Sequence, residues 1–283
     1  ARILMAHRDA LRGTVKLIFQ PAEEGVRGAY AIAENGWLDD ADVLLASHVA
    51  PTGKSDDGDV TAGTWGSLAT TKYDVAFTGR AAHAGGFPEQ GKNALLASAS
   101  AALALHAIPR HGGGRSFINV GTLRAGSGRN VVPDHALMQL EVRGETTEIN
   151  QFMMARTKEI CQSAAAMQGC TCEMTVMGMA EGQHSDAQLI ERVGRVIRRD
   201  LPKLTLSTEQ NAKNWGSDDV SVMMNRVQAH GGQATYMRAM TNMAGAQHTV
   251  TFDFDEAVLG RSVAVFCAAA MGEMQENNNE NTD

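Results

Sequence analysis

Between residues 73 and 177 the hydrophobic pattern switches period in an order that few folds accept. Tyr73, Val75 and Phe77 recur at every second position, the spacing that turns one face of a strand toward a core. Residues 93–107 are rich in Ala and Leu at helical spacing, and residues 116–123 predict a strand. Gly126-Ser-Gly128 marks a turn, and residues 135–143 alternate again. Residues 148–168 predict an amphipathic helix with Ile149, Phe152, Met153 and Ile160 on one side, and residues 170–177 a last strand. Strand, helix, strand, strand, helix, strand is the ferredoxin-like arrangement, and its span has the length of an independent small domain.

The flanks read differently. Residues 13–19 predict a buried strand, residues 27–35 a short helix closed by Gly36, and residues 42–49 another buried strand. Strand–helix–strand is the grammar of an α/β layer. It returns after the insert. Residues 186–199 predict a helix with Leu189, Val193, Val196 and Ile197 inward, residues 218–229 a helix, 233–240 a strand, and 255–273 a final helix. The fold expected is an α/β catalytic domain in two pieces, residues 1–66 and 182–274, interrupted by a ferredoxin-like domain at 67–181. The polar tail, residues 275–283, has no apolar anchor and is expected to be disordered.

The stretch FQPAEEGVRG, residues 19–28, sets the chemical question. Proline followed by Glu23 and Glu24 is how many helices begin, because acids favour the positive helix end. The pair becomes chemistry if a further group stands nearby. His48 is one candidate, at the C-terminal end of the second α/β strand, where ligands of open α/β sheets collect. His248, in a loop before the last helix, is another. Glu24 and His48 could then share a metal, with Glu23 just outside it as a base. Gly216-Ser-Asp-Asp219 reads first as a helix N-terminus, since Ser and Asp cap helices, and second as a lining of the cleft.

Four motifs stand in order along the chain: GTVKLIFQPAEEG, GRAAHAG…P…GKNALLA, GSGRNVVP and LEVRG. Together they resemble the co-catalytic metallo-amidohydrolases of the aminoacylase/carboxypeptidase superfamily, in the branch with hippurate and auxin-conjugate hydrolases. GSGRNVVP, GSDDVSVMMNRVQAHGGQATY and FDFDE resemble its aminobenzoyl-glutamate-utilising members most. The resemblance implies an α/β metallopeptidase-like domain carrying a ferredoxin-like dimerisation domain. It implies two divalent metal ions, zinc or manganese, and hydrolysis of an N-acyl amino acid, with p-aminobenzoyl-glutamate the best single substrate. Glu23 takes the place of the general acid/base, and Glu24, His48 and His248 those of metal ligands. His83 takes the place of a histidine that reaches the partner subunit's site, and Asn130 and Arg143 those of residues holding the substrate's carboxylate end. The partner implied is a second copy or a related subunit, bound through the inserted domain.

The chemistry suits those residue types. Paired divalent ions polarise an amide carbonyl and acidify water. A carboxylate beside them can shuttle the proton, a histidine can stabilise an oxyanion, and an Arg fork grips a carboxylate at two points. Two departures accompany the resemblance. The branch carries a His-x-Cys-Gly-His-Asp motif, with two further metal ligands, upstream of the first motif quoted, and nothing like it stands here. The first part of the catalytic domain is therefore expected to lie outside this sequence, leaving the metal site incomplete or absent. Thr249 and Val250 follow His248 where relatives carry more polar residues. A broader N-acyl amino acid or dipeptide hydrolase is one alternative, and a non-catalytic partner subunit or degenerate fragment is another.

Net charge of −7 argues against a polyanionic partner such as nucleic acid. The longest apolar run, residues 263–271, is short for a bilayer span. Four cysteines are few for 283 residues, which points to a reducing, cytoplasmic setting. Cys170 and Cys172 are expected as structural thiols on one strand face.

Overall fold

The computed structural model describes residues 1–52, 58–207 and 216–280. A short helix α1 (Arg2–Ala6) is followed by residues 13–19, where the sequence predicts a buried strand. Those residues form no strand; Leu17 is 49% and Phe19 88% exposed. A strand exists only in a ladder, and among the described residues none offers this apolar run a partner. Helix α2 (Gly28–Glu34) ends as expected, with Gly36 at φ +72° just past its cap.

Strand β1 (Val43–Pro51) is the one expected at 42–49, yet only Ala50 of it is fully buried. It pairs on one side only, parallel to a later strand, which leaves it at an edge. Two short strands, β2 (Val60–Thr61) and β3 (Trp65–Ser67), lead into the insert.

The insert follows its predicted order: β4 (Ala69–Thr78), α3 (Ala94–His106), β5 (Ser116–Ala125), β6 (His135–Gly144), α4 (Thr147–Met167), β7 (Thr171–Ala180). Its four strands lie antiparallel in the order β5-β6-β4-β7. Alternation decides which face is covered. Val75, Phe77, Met138 and Val142 point to one side and are fully buried against Leu105 of α3 and Met153 of α4. Asn93 and Thr146 cap the two helices by accepting from the amides of Leu96 and Ile149. Phe152 departs from the expected buried stripe: it is 37% exposed and stacks edge-on with His111 at 5.1 Å. The four cysteines are free thiols, with Cys161 and Cys170 buried and Cys172 half-buried.

After the insert come β8 (Gln183–His184), α5 (Ala187–Asp200), α6 (Val220–Ala229), β9 (Gln233–Thr241), β10 (Met243–Ala244), β11 (Asp253–Phe254) and α7 (Ala257–Glu280). Strand β9 is central, parallel to β1 and antiparallel to β2. Its adjacent residues feed opposite layers. Tyr236 joins Ala29, Leu38, Met224 and Val227 under α2 and α6, while Met237 joins Leu189, Val193, Ile197 and Val265 under α5 and α7. All four residues expected inward on the first of these helices, Leu189, Val193, Val196 and Ile197, are buried.

Helix α7 runs on to Glu280, past the end expected at residue 273, because extending a formed helix costs far less than starting one. Residues 281–283 lie outside the described residues. By length and composition alone its stretch Ala257–Gln275 could cross a bilayer, a longer apolar window than the run of nine residues suggests. Val258, Val265 and Ala269 of that stretch are buried against the α/β body. Its charges are paired there too, Glu273 with Arg192 at 2.8 Å and Arg261 with Asp59 at 2.7 Å.

Candidate active site

Glu23 and Glu24 begin a single tight turn, Glu23–Gly25, rather than a regular helix. Ala22 before it and Val26 after it both lie at φ 56°, a conformation that residues with a Cβ adopt at a cost. The amide of Val26 donates to the Glu23 carbonyl at 2.6 Å. His48 stands on β1, three residues before its end, with Nδ1 2.6 Å from the Val49 carbonyl. His248 sits between β10 and β11 at φ 64° and brings its Nδ1 to 3.5 Å from Glu24 Oε2. Both side chains of that pair are about three-quarters exposed, at 74% and 78%.

Behind the turn lie two acids that the sequence assigns first to helix capping. Asp218 caps α6, accepting from the Val220 amide at 2.9 Å, and also accepts the Tyr236 hydroxyl. Asp219 is fully buried and makes no side-chain cap on its own helix α6. It accepts from Gln20 Nε2 at 2.5 Å and from the Ala29 amide at 3.1 Å, fastening both ends of the turn that carries Glu23. The available signal was the doubling itself, since one acid suffices to cap a helix.

Ligand atoms of Glu23, Asp218 and Asp219 all lie within 4.8 Å of one another. Burial pushes the Glu23 carboxyl above the ordinary carboxylate range. Asp218, Glu24 and Asp219 push it further, and His48 pulls the other way. Asp219 is raised as well, first by burial. Burial, then Asp218, raises the Tyr236 hydroxyl far enough to fix it as a donor.

Of the three expected ligands the structure brings Glu24 and His248 together, but among the described residues Glu24, His48 and His248 do not all come within 4.8 Å of one another, and the group that does is Glu23, Asp218 and Asp219. Carboxylate oxygen and imidazole nitrogen suit zinc and manganese. Two donors on one tetrahedral zinc stand about 3.4 Å apart for bonds of about 2.1 Å, and Glu24 and His248 are 3.5 Å apart. Each carboxylate oxygen of Asp218 and Asp219 accepts one protein hydrogen bond, which leaves each a further lone pair.

The other residues expected at the site lie elsewhere on the insert. His83 forms an isolated bridge with Val131, and its Nδ1 accepts from the amides of Gly85 and Gly86 at 3.2 and 3.0 Å. Asn130 is beside it, its carbonyl accepting from the Ala84 amide at 2.9 Å. Both follow the far ends of the sheet. Lys72 contacts the Glu24 carbonyl at 3.4 Å, and β4 runs six residues further to Thr78, roughly 20 Å at the usual strand rise. The structure therefore does not bring His83 and Asn130 to the acids of their own chain. Arg143 lies at the near end of β6, and Glu141 holds its Nε and Nη2 at 3.1 Å.

Residues 1–272 match the model of peptidase family M20/M25/M40. The chain is 44% identical over 271 residues to indole-3-acetyl-aspartic acid hydrolase of Enterobacter agglomerans, covering 96% of this chain and 62% of that protein. Identity and both coverages are the same for one of the subunits of p-aminobenzoyl-glutamate hydrolase from Escherichia coli. The crystal structure of aminobenzoyl-glutamate utilization protein from Klebsiella pneumoniae superposes with a TM-score of 0.85 at 41% identity, over 95% of this chain and 64% of that one. The chain thus spans about three-fifths of the length of the relatives it matches. On the family match over nearly its whole length, it belongs to peptidase family M20/M25/M40.

Proposed function

We propose that this chain carries the acid/base and part of the metal site of an amidohydrolase that splits an aromatic acyl group from an acidic amino acid. The observation that carries the reading is the approach of His248 to Glu24 at 3.5 Å, next to a Glu23 carboxyl on which both Glu24 and His48 act. Glu24, His48 and His248 would hold metal. Two divalent ions, zinc or manganese, would polarise the amide carbonyl and make water a nucleophile near neutral pH.

Glu23 is the proton carrier. Its raised affinity for a proton suits a group that must take a proton from water and return it to the leaving amine. Asp219 holds its turn in place from behind. Arg143 would receive the substrate's carboxylate on the part of its guanidinium that Glu141 leaves over. His83 would donate to the oxyanion of a partner subunit's site. Its distance from the acids of its own chain supports that role, as does the placement of Asn130 beside it. The partner is a second copy or a related subunit joined through the inserted domain, in a cytoplasmic enzyme.

The substrate class rests on two equally similar relatives. One is named for an indole-acetyl aspartate and the other for an aminobenzoyl glutamate; both pair an aromatic acyl group with a dicarboxylic amino acid. A cavity of about 350 Å³ lined by Leu68, Phe117, Ile118, Asn119, Glu141 and Arg143 offers an aromatic ring and a cation together. It lies at the end of the sheet nearest the acids, since the Leu68 amide donates to the Gly216 carbonyl at 2.9 Å. The test is hydrolysis by a chimera that adds the part of the Klebsiella relative this chain does not match. The chimera should cleave p-aminobenzoyl-glutamate and indole-3-acetyl-aspartate faster than hippurate. A Glu23→Gln chimera should lose about 10²–10⁴-fold in kcat. Full activity in that variant would reject Glu23 as the proton carrier.

A further inference from the structure

The turn that carries Glu23 and Glu24 is fastened from outside its own α/β layer. The Met179 amide of β7 donates to the Val26 carbonyl at 3.2 Å, and Lys72 Nζ of β4 reaches the Glu24 carbonyl at 3.4 Å. Lys72 and Gly178 are cross-strand partners, and the β4–β7 register shifts directly after them. At Gly178 the two parts of the molecule meet without space for a side chain. A Cβ there would stand 2.3 Å from the Gly25 carbonyl oxygen and 3.3 Å from that of Val26.

Gly178 does not lie in the left-handed region, so backbone conformation does not require glycine. The neighbour does, because only a hydrogen lets the two backbones approach this closely. The turn also needs holding, since Ala22 and Val26 keep left-handed conformations at its ends. From this geometry we infer that Gly178 is a positioning residue for Glu23 and Glu24: the inserted sheet, through β7, sets where the two acids stand. The inference rests on the reading of those acids as the working groups.

The experiment compares Gly178→Ala with Gly121→Ala, a substitution in the same sheet whose Cβ would find its nearest neighbour at 3.7 Å. Lys72→Met is the third variant, removing the Glu24 contact without adding bulk. Circular dichroism reports folding, amide resonances of residues 22–26 report the turn, and Co²⁺ titration followed by the metal's visible bands reports the ligands. Gly178→Ala should keep its secondary structure, shift the resonances of the turn, and weaken Co²⁺ binding about 10–100-fold, the usual loss when a ligand's support is removed. Lys72→Met should move both readouts the same way by less, and Gly121→Ala should move neither.

Turn resonances and cobalt affinity unchanged in Gly178→Ala would overturn the inference. If the wild type takes up no cobalt, the metal reading falls and the resonances alone decide the role of Gly178. If Gly178→Ala does not fold, Lys72→Met decides: shifted turn resonances support the inference and unshifted ones overturn it.

Discussion

Removing the charge of Glu23 should make the metal-free protein more stable. Glu23, Asp218 and Asp219 place oxygen atoms within 4.8 Å of one another. At that separation and an effective dielectric of about 20, each ionised pair costs roughly 3 kcal/mol. Solvent around the part-exposed Glu23 reduces the cost to about 1–2 kcal/mol. The sign follows from the raised Glu23 carboxyl. When the folded protein holds a proton more tightly than the unfolded chain, that stabilisation is fully present below the unfolded pKa, near 4.3. It is lost as pH rises through the folded value. Glu23→Gln should therefore raise Tm by about 2–6 °C at pH 7, with the gain shrinking toward zero as pH falls to the ordinary carboxylate range. Differential scanning calorimetry with a chelator present measures it. Glu24→Gln, at a carboxylate 78% exposed, should change stability by less than about 0.5 kcal/mol. A less stable Glu23→Gln at pH 7, or a gain that does not depend on pH, would refute the reasoning.

Three other outcomes are expected. Glu273→Ala strips Arg192 of a nearly buried carboxylate that it grips with Nε and Nη2; urea unfolding should show a loss of about 3 kcal/mol, and a loss under half that would mean Arg192 repairs itself through Gln233. Arg143→Lys in the active chimera should raise KM for free-acid substrates while barely changing it for α-amidated ones, because Lys lacks the planar two-point grip; equal turnover of acid and amide by the unsubstituted chimera would remove Arg143 from recognition. Mixing inactive Glu23→Gln and His83→Ala chimeras as reassembled dimers should restore about a quarter of full activity, since half the dimers then carry one intact site of two; confirmed mixed dimers without activity would exclude a role across the interface.

The insert was legible because its alternation is strong and its contacts are internal. Val75, Phe77, Met138 and Val142 need only α3 and α4 to be buried. The helix over residues 187–200 was equally plain, since its apolar stripe faces one layer. Residues 13–19 show the converse. Their composition is that of a buried strand, but burial is conferred by a neighbour, and composition cannot report whether the neighbour is there. At the site, Glu23, Glu24, His48 and His248 could be proposed from motifs whose spacing is family-specific. Asp218 and Asp219 could be read only as a helix start that lines the cleft, with no role of their own, because a Ser-Asp-Asp run before a helix has an adequate local explanation in capping. Only the packed structure shows that the second acid spends its oxygens on Gln20 and Ala29 instead. Gly178 was invisible for the same reason: its constraint lies 153 residues away along the chain, at the Gly25 carbonyl.

The central claim is that Glu24, His48 and His248 hold metal next to Glu23. Zinc-edge X-ray absorption of the zinc-loaded chimera tests it most directly. Nitrogen and oxygen ligands at about 2.0–2.2 Å are expected, with imidazole scattering that weakens in His248→Ala and in His48→Ala, and with zinc lost from Glu24→Gln. A spectrum and zinc content unchanged by all three substitutions, or no zinc retained at all, would contradict the account.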